Sequence, residues 1–230
     1  ELLIAHAWGY EPVTIADIRA YRPASNSMSS GQVLKYPHNY EQTKLIVREM
    51  ADMLALDLVD KRMVTDQIVL TIGYDIENLT NSDIAKKYRG EVTTDGYGRR
   101  IPKHAHGTGN LPKYTSSTRL IMESVLELYD KIINPKLLAR RITITACHLE
   151  NESLANKKDS FEQMDLFTDY EAREKENEKE REELDRERKI QEALLSVKKR
   201  YGKNAVVKGM SLKEGATAME RNSQIGGHRA

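Results

Sequence analysis

Between Asn39 and Leu58 the apolar residues Val47, Met50, Met53/Leu54 and Leu58 recur at helical spacing, giving one apolar face. Asn39 and Gln42 stand in capping-box spacing at its start, after Pro37. The period then changes to two. Ile68, Leu70, Ile72 and Tyr74 alternate with Gln67, Val69, Thr71 and Gly73, which predicts a half-buried strand. A second helix is expected to start at Thr115 or Ser116, to show Ile121, Val125, Leu128 and Ile132 on one face, and to stop at Asn134-Pro135. A last strand sets Ile142, Ile144 and Ala146 against Thr143, Thr145 and Cys147. Weaker signals suggest strands over Ser27–Leu34 and His104–Leu111. Residues 76–100, with Asp95-Gly96 and Gly98, read as a long loop or irregular excursion.

The resulting order, strand-helix-strand-strand-helix-strand, predicts an α+β fold. Its βαββαβ pattern forms a four-stranded sheet with two helices on one face, leaving the other face open to a ligand. Before it, residues 1–10 end a helix at Gly9, and residues 11–26, with Pro12 and Pro23, read as a linker. The chain starts at Glu1 and runs straight into Leu2-Leu3-Ile4-Ala5, as though a helix were entered midway; a fragment of a longer protein is expected.

Composition changes this picture at one point. Of 230 residues 31% are charged and the mean hydropathy is −0.63, high polarity for one compact domain. The excess sits after Glu150. Residues 171–189 hold nine acidic and seven basic side chains among 19, which reads as a solvated helix held by i,i+4 ion pairs. From Tyr201 on, order is doubtful on composition. Overall charge is near zero, with Lys+Arg 36 and Asp+Glu 35. Between residues 86 and 119, however, eight cations (Lys86, Lys87, Arg89, Arg99, Arg100, Lys103, Lys113, Arg119) meet two acids (Glu91, Asp95), a local net of +6. His104 and His106 lie in the same window. Such a window is a candidate polyanion contact, the alternative being a solvated, solubilising loop.

Candidate catalytic chemistry is sparse. No phosphate-binding loop, nucleophile elbow or zinc-protease motif is present. One cysteine excludes a disulfide framework and four-ligand zinc sites of the Cys₄ or Cys₂His₂ type. Cys147 is expected to be a buried small hydrophobe, and its neighbour His148 points to the opposite face. His104-x-His106 is weak evidence for a metal and reads better as two rings on one side of a strand, near phosphates. No catalytic residue and no metal ligand is assigned. No run of about 18 apolar residues is present to span a membrane, and no leader peptide is recognised, so a soluble, cytoplasmic protein is expected.

One pentapeptide stands apart. Gln163-Met164-Asp165-Leu166-Phe167 puts a Leu-Phe pair in a polar segment with no local core to join. It resembles the bacterial sliding-clamp-binding motif, Gln-x-x-Leu-Phe. Ser27-Met28-Ser29-Ser30-Gly31-Gln32-Val33-Leu34 resembles the Lys-Ser-Ile-Gly segment that opens the little-finger domain of Y-family translesion DNA polymerases. Ala7-Trp8-Gly9-Tyr10 is similar to the end of their thumb. Gly107-Thr108-Gly109-Asn110-Leu111 with Thr115-Ser116-Ser117-Thr118 resembles their third strand and second helix cap. The UmuC-like branch fits best, and the resemblance spans roughly residues 1–167 and, less specifically, the tail from Tyr201.

The resemblance implies a thumb end at 1–10, a linker at 11–26, a DNA-binding little finger at 27–150, a clamp-binding segment at 151–168 and a charged helical or disordered tail at 169–230. It implies a role in DNA repair and the SOS response, close to the nucleoid. The expected partners are damaged primer–template DNA, held through Ser27, Ser29, Ser30, Lys86, Lys87, Arg89, Arg99, Arg100, Lys103, His104, His106, Lys113 and Arg119, and a bacterial sliding clamp. No cofactor is expected here; the parent polymerase would use magnesium in its palm domain, whose carboxylates this chain lacks. There are departures: Asn26 stands where the family has Lys, and the 76–100 insert is long. The competing reading is a non-catalytic ferredoxin-like adaptor for RNA or protein. RNA recognition would require aromatics on the central strands, where only Tyr74 is available. A stand-alone metal-dependent enzyme is disfavoured by the absence of clustered ligands.

Overall fold

The computed structural model describes residues 7–21, 26–155, 170–225 and 228–229. The expected α+β architecture is present. Strands β1 (Met28–His38), β2 (Met63–Tyr74), β5 (Ala105–Thr115) and β6 (Ala139–Cys147) form the sheet, in the order β1-β6-β2-β5, every neighbouring pair antiparallel. Helices α2 (Tyr40–Asp60) and α5 (Thr118–Ile132) are the crossovers. Each joins two strands that run the same way with an antiparallel strand between them, so both helices fall on one face.

Local chemistry sets the helix ends. Asn39 and Gln42 form the expected capping box, and Ser117, one or two residues later than expected, caps α5 through Leu120 N–H. The core lies between the layers. Ile46, Val47, Met50, Leu54 and Leu58 of α2 meet Ile68, Leu70 and Ile72 of β2, Ile142 and Ile144 of β6, and Ile121 and Val125 of α5. The glycines of β5 set the spacing: a Cβ on Gly107 would lie 2.8 Å from Leu128 Cδ1 and Ile132 Cγ2. Helix α5 therefore packs directly on the strand backbone.

Several expectations need correction. β1 is longer than Ser27–Leu34 and passes through Pro37, which an edge strand tolerates because the missing N–H costs no ladder bond. The linker holds a short helix, α1 (Ile15–Ala20), nucleated by a capping box of Thr14 and Asp17. The irregular excursion is ordered. It contains α3 (Glu77–Thr80), α4 (Ser82–Ala85) and a hairpin of β3 (Val92–Thr94) and β4 (Arg100–Pro102). Buried Asn78 ties it down, bonding the carbonyl and N–H of Leu138, each at 2.8 Å. Cys147 is not a buried hydrophobe. It lies half-exposed because its parity in β6 is opposite to that of Ile144 and Ala146.

The tail differs most. After the two-residue β7 (Glu150–Asn151) and α6 (Glu152–Ala155), the long helix α7 (Tyr170–Tyr201) has an exposed first half but a docked second half. Glu187 accepts from Ser117 Oγ at 2.5 Å and Arg119 N–H at 2.9 Å, using donors at the start of α5. Gln191, 4% exposed, donates to Ser116 O and Thr118 Oγ1. Arg188 pairs with Glu152 at 2.8 Å. Beyond Tyr201 the chain is structured too. Lys208 pairs with Asp52 of α2, and the N–H groups of Thr217 and Ala218, at the start of α8 (Ala218–Asn222), donate to Glu49 of α2 at 2.8 and 3.1 Å. Composition did not reveal this, because polar contacts rather than apolar periodicity hold the tail.

Candidate nucleic-acid interface

The sheet face away from α2 and α5 carries the odd-numbered residues of β1, β2 and β6 and the even-numbered ones of β5. Register aligns them in rows. One row reads Ser29–Thr145–Val69–Thr108, the next Gly31–Thr143–Thr71–His106, and Cys147–Gln67–Asn110 and Val33–Arg141–Gly73 flank them. None of these positions carries a carboxylate or a Phe, Tyr or Trp ring. Hydroxyls, amides, one imidazole and one guanidinium, with Val33, Val69 and Cys147 among them, therefore cover this face.

Cross-strand hydrogen bonds fix these groups. Thr145 Oγ1 donates to Ser29 Oγ at 3.0 Å, Gln67 Nε2 donates to Asn110 Oδ1 at 3.0 Å, and Thr71 Oγ1 lies 2.9 Å from His106 Nδ1. The His104 and His106 rings stand on one side, edge to face with centroids 6.3 Å apart. Burial and the Asp66 charge push the Cys147 thiol above its ordinary value, so it remains protonated at neutral pH. His148, at φ 51°, turns aside to pair with Asp66 at 2.9 Å. Tyr74, the aromatic available for base stacking on a central strand, points into the core.

The structure separates the expected DNA-binding residues into groups. Ser29 and His106 lie on the open face, with exposed Ser27 just before β1 and His104 just before β5. Ser30 alternates to the helix side, so its hydroxyl is not brought to this face. Lys86, Lys87, Arg89, Arg99, Arg100 and Lys103 belong to the excursion. Lys113 and Arg119 lie near α7. Four of the eight cations already have carboxylate partners: Arg99 with Asp95, Lys103 with Glu91, Lys113 with Glu180 and Arg119 with Glu123. Glu123 and Glu180 both lie outside the sequence window, so the local +6 overstates the unneutralised charge. Lys86, Lys87 and Arg100 have no carboxylate partner among the described residues. Arg89 donates to the carbonyls of Lys86 and Tyr88.

Thr71, Thr143, Thr145, Gln67, Asn110 and Arg141 were not singled out from the sequence. The signal was the outward half of each alternating strand, read only as the non-core half. Gln163 to Phe167 lie outside the described residues. Among the described residues, no group of three His, Cys, Asp or Glu side chains could hold a metal ion, and no helix is long and apolar enough to cross a membrane.

Residues 25–166 match the model of the impB/mucB/samB family C-terminal domain. The chain belongs to this family. It thereby carries a C-terminal domain of Y-family DNA polymerases, a class that acts in DNA damage tolerance. A search of curated proteins finds no match. The family domain ends close to the start of the tail, so α7 and α8 are additions to it that fold back onto α2 and α5.

Proposed function

We propose that this chain is the DNA-gripping part of a UmuC-like translesion polymerase, and that its open sheet face lies along primer–template DNA. The observation that carries the reading is the chemistry of that face. Ser, Thr, Gln, Asn, His and Arg side chains, held by cross-strand bonds, offer donors to phosphates across a surface without carboxylates. Phosphate contacts position a duplex without reading its sequence. A polymerase that tolerates damaged bases requires that indifference. The basic excursion extends the contact beyond the end of the sheet.

On this reading the chain is a piece of a longer polymerase and does no chemistry itself. Magnesium-dependent nucleotide transfer belongs to a palm domain elsewhere in the parent, since two-metal transfer needs clustered carboxylates. The described residues do not fit such a site. Gln163 to Phe167 recruit a bacterial sliding clamp, with Leu166 and Phe167 filling an apolar pocket and Gln163 bonding at its rim. The setting is the cytoplasm, near the nucleoid, after DNA damage. An RNA-binding adaptor is less well supported, because the open face carries no Phe, Tyr or Trp for base stacking, and its one ring, His106, is engaged by Thr71.

The test is titration of labelled primer–template duplexes of two unrelated sequences at two salt concentrations. Affinity should be independent of sequence and fall steeply with salt, as phosphate contacts release counterions. Salt-insensitive binding, or a strong preference for one sequence, refutes the reading.

A further inference from the structure

The excursion between β2 and β5 ends in a hairpin whose tip, residues 96–99, is exposed. Strands β3 and β4 pair from Val92↔Pro102 to Thr94↔Arg100, and residues 95–99 close the turn. Asp95 builds that turn. Its Oδ1 accepts the N–H groups of Tyr97 and Arg99, both at 2.9 Å, and its Oδ2 holds the Arg99 guanidinium at 2.7 Å. Gly98, at φ 77°, lets the chain turn back. The guanidinium stands over the Tyr97 ring, 5.1 Å from its centroid. Tyr97 is 85% exposed. One face of the ring is thus backed by a fixed cation and the other is open to solvent.

The hairpin is also firmly mounted. Tyr88 Oη donates to Glu91 O at 2.7 Å, and Lys103 bonds Glu91 through both its backbone N–H and its ammonium. Six cations lie between residues 86 and 103 against Glu91 and Asp95, a net of +4, and both acids are already engaged. Only Lys103 and His104 separate β4 from β5. The hairpin therefore extends from the end of the sheet where the open face shows His106 and Thr71.

An exposed aromatic backed by a cation and set among other cations suits one kind of ligand. Bases in a duplex are stacked on each other and show no free face, whereas an unpaired base does. We propose that the β3–β4 hairpin binds single-stranded DNA, with Tyr97 stacking on an unpaired base and Arg89, Arg100, Lys86 and Lys87 meeting its phosphates. This rests on the reading of the sheet as a DNA-binding face and adds to it a second site of different specificity. The sheet holds duplex, and the hairpin holds the unpaired strand beyond it.

Fluorescence anisotropy on the full chain tests this with three probes: a blunt duplex, the same duplex with a 5′ single-stranded extension, and a thymidine oligonucleotide. Tyr97→Ala should weaken binding of the oligonucleotide and of the extended duplex roughly tenfold, as expected for loss of one base–aromatic stack, and leave the blunt duplex unchanged. Tyr97→Phe should bind like the wild type, because the ring remains. Circular dichroism should be the same for all three proteins. If Tyr97→Ala binds the oligonucleotide as the wild type does, or loses affinity for blunt and single-stranded probes alike, the inference is overturned. Wild-type binding to blunt duplex with none to the oligonucleotide overturns the hairpin site and leaves the sheet reading standing. Tyr97-dependent oligonucleotide binding without duplex binding does the reverse. If no probe binds, both fail.

Discussion

Replacing Glu49 by alanine should release the C-terminal segment while leaving the domain folded. Glu49 projects from α2 and is 2% exposed. Its Oε2 accepts the N–H groups of Thr217 and Ala218, at the start of α8, where Thr217 makes no side-chain cap of its own. Helix α8 has five residues, far below the length at which an isolated helix persists in water. Its N-cap comes from another helix. Removing the carboxylate orphans one buried and one half-buried donor, at up to about 1–3 kcal/mol each. It also removes a charge that favours the buried Arg221 guanidinium, whose pKa burial pushes down while Glu49 and Asp57 push it up. The sum is a few kcal/mol, set against a segment in which Ala218 is the buried apolar side chain after Tyr201. Local release should therefore precede global unfolding. Hydrogen exchange is the direct assay. In Glu49→Ala, amides from 204 to 223 should lose protection while those of α2, β2 and β6 keep theirs. Glu49→Gln keeps an acceptor oxygen without the charge and should fall between, since charge-assisted bonds are roughly twice as strong as neutral ones. Unchanged tail protection in Glu49→Ala would refute the latch. Loss of protection in the tail and the sheet together would show a single cooperative unit instead.

Thr143→Glu places a carboxylate at the centre of the open face, between Gly31 and Thr71, and should abolish duplex binding with little change in thermal stability; anisotropy and a melting curve check both. Leu166→Ala with Phe167→Ala should eliminate clamp binding in calorimetry yet leave DNA affinity intact. Each buried side chain is worth roughly 1.5–3 kcal/mol, so the wild-type peptide should bind on the order of micromolar. Burial raises the Asp130 pKa, but hydrogen bonds from Lys44 at 2.7 Å and Tyr40 at 2.5 Å outweigh it and the net shift is downward. A depressed carboxylate contributes stability above its unfolded pKa and loses it as pH falls through the folded one. Denaturation of wild type and Asp130→Asn should thus differ at pH 7 and converge only once the pH falls below the ordinary carboxylate range; a gap that widens on acidification would refute the assignment.

Much of the fold is legible because its signals are local. The period of 3.6 in α2 and of two in β2 and β6 states which side of each element is buried, and Asn39 with Gln42 marks a helix start without reference to the rest of the chain. The order of these elements then restricts the architecture to a sheet with both crossover helices on one side. The excursion was not legible as structure. Its first short helix is anchored by Asn78 reaching Leu138, sixty residues away.

The chemistry divides the same way. Sequence alternation determines that Thr71, Thr143 and Ser29 share a face of their strands, but only register sets Ser29 beside Thr145 and Thr71 beside His106. The basic window is a property of composition. Its effective charge is decided in three dimensions, where Glu180 reaches Lys113 across a long chain separation. The tail shows the limit most clearly. By composition its charges belong in water. Yet Glu187 accepts an N–H at the start of α5 and Glu49 accepts those of α8, because a helix leaves its first N–H groups unpaired and a side chain from a distant segment can satisfy them, while Gln191 donates to Ser116 O and Thr118 Oγ1 beside them. No pattern along the chain encodes that pairing; it exists only once both helices are in place.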